Sequence, residues 1–237
     1  MNRFEKIVLG ITGGSHLSVH ALMLALPSLI PILRQEFSTG LDTLGLVVTF
    51  SAFMFGIGAI PSGWAESRLG GKTLLLLYLF GSGIAAVIVA LSNSFILLIF
   101  GLGLLGFSCS IYHPAGLTLI SQRVQAITKG MAVHGIFGTT GSALGPIMAT
   151  TLAFLISWRA SYAVLGVFNI ILALATIVVI PKRDHSGIGK IEQQENRVEK
   201  TNRPALILFY MTNMLMGFAY YGFTTFMPTH FAENTSN

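Results

Sequence analysis

Six histidines are spread along a chain of 237 residues. Four of them, His16, His20, His113 and His134, fall in stretches that contain no Asp, Glu, Lys or Arg. Imidazole is the side chain that exchanges a proton near neutral pH while remaining tolerable, when neutral, in an apolar medium. His16 and His20 are four residues apart and so share one face of a helix. His113 is followed directly by Pro114. These three are the candidate groups for a proton or substrate pathway. His134 is read as a packing residue near the inner end of its helix, and His185 and His230 fall in or beside loops. Covalent chemistry finds little support. Gly106 and Ser108 imitate the GxS of an intramembrane serine hydrolase, but the sixth predicted helix has no histidine to act as base, and the seventh has none before His230. Gly101, Gly103 and Gly106 spell GxGxxG without the strand and acidic residue of a dinucleotide site, so close helix packing is the expectation there.

The elements that must hold these residues are apolar and long. The chain is 53% hydrophobic and 10% charged, with a mean hydropathy of +0.73, whereas soluble domains carry about 25% charged residues. Charge-free runs cover 7–33, 43–65, 73–122, 130–158, 160–181 and 204–232. A bilayer crossing takes roughly 20 apolar residues. The runs therefore predict seven transmembrane helices, at 7–33, 43–64, 73–92, 95–121, 130–155, 161–180 and 205–230, the longest run being divided at Ser92, Asn93 and Ser94. The expected organisation is a six-helix unit over 1–180, a polar linker over 181–204, and a seventh helix with an external tail over 205–237.

Charge placement sets an expected orientation. With the N-terminus inside, twelve of the 14 Lys and Arg residues lie on the cytoplasmic side, and Arg34 and Arg159 alone lie outside. The net charge of +5 is thus distributed among alternate loops and does not form a nucleic-acid surface. Cys109, the single cysteine, lies within a predicted helix and excludes a disulfide framework or a cysteine metal cluster. No cofactor and no metal is expected.

Between the second and third helices stands GWAESRLGGK, residues 63–72. Gly63, Arg68, Gly70 and Lys72 match the loop signature of the major facilitator superfamily, which this segment resembles. Glu66 comes one place early, and Ser67 stands where the acid is expected. The fifth helix carries GTTGSALGP, residues 138–146, in which Gly141, Gly145 and Pro146 are similar to the antiporter signature of that superfamily. His16, His113 and Pro114 resemble positions of its fosmidomycin-resistance branch, with His20 in the place of that branch's acid. The resemblance implies an all-α membrane fold, a six-helix half built of two inverted three-helix repeats plus a seventh helix. It implies alternating access, with helices 1 and 4 lining the cavity. His16, His20, His113, Asn213 and Tyr220 are the expected substrate and proton pathway, residues 63–72 the gating loop, and Pro114, Gly141, Gly145 and Pro146 the packing and hinge positions.

The function expected is proton-coupled export of a small organic molecule across the inner or plasma membrane. Uptake of a metabolite, a non-transporting partner subunit and an intramembrane hydrolase remain open. The expected partners are the lipid bilayer, the substrate and protons. Helices 8 to 12 of such a transporter have no counterpart here, so a complete cavity is expected to need them from a longer chain or from another one.

Overall fold

The computed structural model describes residues 1–181 and 202–234, without the side chains of 232 and 233. The polar linker expected over 181–204, read from sequence as a solvated charged loop in which Ile188, Ile191 and Val198 hint at a weak amphipathic helix, therefore lies almost wholly outside the described residues. All described elements are helices: α1 (Arg3–Glu36), α2 (Leu41–Ala90), α3 (Phe95–Ser110), α4 (Tyr112–Arg123), α5 (Ile127–Leu155), α6 (Trp158–Val179) and α7 (Arg203–Asn234). Among the described residues, five stretches are long and apolar enough to cross a membrane, namely α1, α2, Phe95–Arg123, α6 and Arg203–Phe231.

Two of these differ in outline from the sequence expectation. The helices expected at 43–64 and 73–92 form one element of 50 residues, interrupted at Gly70 with φ 75° and ψ 157°. Only glycine adopts that backbone at no steric cost. Phe50 and Val89 would stand about 58 Å apart on a straight helix. A side chain at Gly103 of α3 would nevertheless meet Phe50, and one at Gly101 would meet Val89. Both arms of α2 therefore run alongside α3, and the chain folds back at Gly70. The helix expected at 95–121 is divided at Ile111, three residues before Pro114. Proline lacks an N–H and crowds the carbonyl four residues earlier, so the ladder is locally reset: the Ile111 amide bonds Ser108 O at 3.2 Å.

Local signals start the other helices. Asn2 and Glu5 close a capping box at α1, and the Ser94 and Ser157 side chains accept the Leu97 and Ala160 amides at α3 and α6. The core is organised by Tyr78, Tyr112 and Tyr162, all fully buried, with Leu22, Leu29 and Ile30 of α1. GxGxxG in α3 serves close packing, since a Cβ on Gly106 would collide with Ser51 O of α2.

Helix α5 lies on α1 through small residues. A Cβ on Gly145 would come within 2.5 Å of Ala21 Cα, one on Gly141 would overlap the Leu17 backbone, and one on Gly138 would stand 2.7 Å from His16 Nδ1. Helix α7 rests against α1 but leaves most of its residues exposed, with Thr225 and Thr229 buried.

Candidate functional site

The glycine face of α5 and the break before Pro114 bring four imidazoles into one cluster. His16 and His134 are buried, at 8% and 6% exposure, and their rings stack at a centroid distance of 3.9 Å. His20 lies 4.9 Å from His16, and His113 lies 5.3 Å from it, edge-on. Tyr112 stacks on His16 at 5.3 Å and on His134 at 5.9 Å. Helix α1 thus contributes two rings, α4 two and α5 one.

The hydrogen bonds order this cluster. His16 Nδ1 is 2.8 Å from the His134 carbonyl. A carbonyl only accepts, so Nδ1 carries the proton, and in the neutral ring Nε2 keeps its lone pair. His20 Nε2, 3.1 Å from His16 Nε2, is then the donor. The Tyr112 hydroxyl donates to Thr12 O at 2.5 Å, which spends its only proton. His134 Nδ1, 3.3 Å from the same hydroxyl, must donate to it.

A second polar group sits on another side of α1. Ser18 Oγ donates to Asn169 Oδ1 at 2.5 Å, Asn169 Nδ2 donates to Ser82 Oγ at 2.7 Å, and the Tyr78 hydroxyl donates to Ser15 O at 3.0 Å. All five residues are fully buried.

One opening adjoins the histidines, and a second shares Leu24 and Tyr220 with it. A cavity of about 60 Å³ is lined by Val19, His20, Met23, Leu24, Phe55, His113, Tyr220 and Tyr221. A larger groove of about 420 Å³ runs between α1, α5 and α7, where Ser28, Thr139, Ser142, Tyr220 and Thr224 supply its polar groups.

Of the pathway residues expected from sequence, the structure gathers His16, His20 and His113 and sets Tyr220 at the mouth of their cavity. Asn213 stands apart on the exposed face of α7, its amide donating to Phe209 O at 2.8 Å. His134, expected to be a packing residue only, belongs to the cluster. Asn169 was not singled out, although it is the one amide side chain in the apolar run 160–181.

In the segment expected from sequence to be the gating loop, the Arg68 guanidinium lies 3.9 Å over the Trp64 ring. Lys72 Nζ donates to Ile177 O at 3.2 Å and to Ile180 O, meeting the negative end of α6. Gly63 and Glu66 lie on the first arm of α2, and Gly70 is the reversal itself. Pro146 lies inside α5 and lines the larger groove. At the opposite end of the bundle, Arg159 bonds Glu36 Oε1 at 2.8 Å and Ser92 O at 2.9 Å, fastening α6 to the ends of α1 and α2.

Long apolar helices packed around a buried polar cluster are those of a multi-pass membrane protein. The chain belongs to the Major Facilitator Superfamily, whose family model matches residues 12–236. It is 24% identical over 91% of its length to an uncharacterized transporter of Buchnera aphidicola, covering 53% of that protein. It is 22% identical over 98% of its length to the inner membrane transport protein YnfM of Escherichia coli, covering 58% of it. A solved bacterial homolog of the human lysosomal transporter Spinster, inward-facing and unoccupied, superposes with a TM-score of 0.76 at 15% identity, over 98% of this chain and 56% of that one. The chain spans about half the length of the curated relatives it matches. Its family is one of transporters, not of enzymes.

Proposed function

We propose that this chain supplies the first half, and the first helix of the second half, of a secondary active transporter that exports a small organic molecule in exchange for protons by alternating access. The reading is carried by one observation: His20 and His113, from the two helices that border the cavity in this fold, face a common opening together with Tyr220 of α7, with the buried His16 within 4.8 Å behind them. Substrate and protons would pass this opening. Exchange is favoured over uptake by the glycine and proline pattern of α5, whose Gly141 and Gly145 bring it against α1. Such a seam lets one helix slide on another without opening a void.

Placement in the inner membrane with a cytoplasmic N-terminus is supported by the twelve-to-two distribution of Lys and Arg and by the name of YnfM. Reporter fusions after Lys190 should read cytoplasmic and fusions after Asn237 external; the same side for both would remove this topology.

The functional test uses liposomes containing the chain together with the C-terminal half of a relative, an acidic lumen, and labelled organic cations and anions outside. Accumulation that collapses with the pH gradient is the expected result. Accumulation that ignores the gradient would overturn proton exchange, and equal transport by the chain alone would overturn the need for a second half.

A further inference from the structure

We propose that His16, His20 and His113 form a binding site for one borderline divalent transition-metal ion, such as Zn²⁺ or Co²⁺, bridging α1 to α4. One ligand nitrogen from each of the three rings lies within 4.8 Å of the others. The His16 and His20 Nε2 atoms are 3.1 Å apart. Two nitrogens each about 2.0–2.1 Å from a tetrahedral ion stand about 3.3 Å from one another, so this pair has the required separation already. It is built on one helix at i and i+4, and little side-chain freedom is lost on binding. His113 stands on the facing helix and closes on the ion by a modest change of its ring torsions.

The surroundings of His16 favour ligation. Its Nδ1–H is held by the His134 carbonyl at 2.8 Å, which leaves Nε2 as the lone-pair nitrogen. A ligating histidine normally has its other N–H held in this way, because the bond fixes ring orientation and raises basicity. The His20 proton now pointing at His16 is free to move to the other nitrogen of the same neutral ring, so no charge is needed to bare both Nε2 atoms.

Space and chemistry agree with this. The cavity that touches His20 and His113 holds about 60 Å³, the volume of about two waters, which suits an ion and one exogenous ligand in the open fourth position of a three-histidine site. Three imidazoles without a carboxylate select Zn²⁺, Co²⁺, Ni²⁺ or Cu²⁺ over Mg²⁺ and Ca²⁺, which take oxygen ligands. No carboxylate, ammonium or guanidinium group lies in the apolar runs that contribute the three rings, 7–33 and 73–122. The bound ion would pin α1 against α4 and occupy the opening that adjoins the larger groove. The binding itself stands without the transport reading.

The test is titration of the purified, tag-free 237-residue chain in detergent with Co²⁺, read by visible absorption, and with Zn²⁺ in competition. His185→Gln and His230→Gln are introduced together as background, to remove the two histidines outside the cluster. The expected result is one Co²⁺ per chain with the intense spectrum of four-coordinate cobalt, displaced by Zn²⁺ and untouched by excess Mg²⁺. His20→Gln and His113→Gln should each weaken binding at least about tenfold. Both variants should elute as the parent does in gel filtration, which separates lost ligation from lost folding. A weak six-coordinate spectrum, more than one ion per chain, or an affinity unchanged in His20→Gln and His113→Gln would each overturn the proposal. As a second route to the same decision, His113→Cys should keep cobalt binding and add a thiolate charge-transfer band. Absence of that band in a chain that still binds Co²⁺ would place the ion elsewhere.

Discussion

Helix α1 carries two polar groups at the same depth, and they are built to opposite rules. Toward α6 and the second arm of α2, Ser18, Asn169, Ser82 and Tyr78 are sealed, each spending its polar atoms on another. Toward α4 and α5, the histidines are only half sealed: His16 and His134 are buried, while His20 and His113 face a cavity. A closed polar network inside an apolar bundle fixes which helices pair and in what register, because any other pairing strands its groups. A network with nitrogens facing an opening can exchange partners. The contrast separates scaffold from working surface on one helix.

The largest effect should come from the seam on which the open cluster depends. Gly141→Leu would drive a side chain into the Leu17 backbone and should destabilise the bundle by about 3 kcal/mol, read as loss of the monodisperse peak after heating. Unchanged heat resistance would show that α5 can stand off from α1. Next is Asn169→Ala, which strands Ser18 and Ser82 in the sealed network and should cost about 2 kcal/mol, whereas His20→Gln, beside the cavity, should cost under about 0.5 kcal/mol. Equal costs would erase the distinction between the two groups. Tyr112→Phe should cost about 1 kcal/mol and should release the His134 tautomer, which nitrogen-15 shifts of the ring would report; an unshifted ring would contradict the bond to Tyr112.

The smallest effect lies at the aqueous end of α1, before the charge-free run. The Gln125 and Asn2 amides donate to the Glu5 carboxylate at 3.1 and 2.9 Å and hold its pKa below the ordinary value, the Gln125 bond being the larger cause. A depressed folded pKa stabilises the folded state above the unfolded value, and that stability is lost as the pH falls through the folded one. Protection of the Gln125 amide relative to its intrinsic exchange rate should therefore be present at neutral pH and be lost as the pH falls through the depressed Glu5 value, while in Glu5→Gln it should show no such step.

What could be read from the residues was whatever depends on one helix at a time. The apolar runs outline the helices, and the i, i+4 spacing of His16 and His20 holds wherever α1 goes. Membership of His134 depends on how α5 crosses α1, which the spacing within α5 does not specify; Gly138, which makes room for the His16 ring, was the trace of it. Asn169 was legible by a signal left unused, a lone amide in an apolar run, where an unpaired polar group is costly and so implies a partner. Asn213 carried the same signal and satisfies it within its own helix, so the rule finds polar demand without saying who meets it. The division at Ile111 was foreshadowed by Pro114, and the unbroken count across Gly70 follows from one residue bridging two helices.

Lys72 has a mechanical consequence. Its ammonium grips the carbonyls of Ile177 and Ile180, at the point where α6 ends and the chain departs through Pro181 toward the linker. A pull arriving along the linker therefore meets an anchorage before it reaches the helix. The load is divided between α6 and the second arm of α2, which carries Lys72 just past the Gly70 reversal. The end of α6 and the second arm of α2 are thus tied to each other at Lys72, on the far side of Gly70 from the arm of residues 41–69.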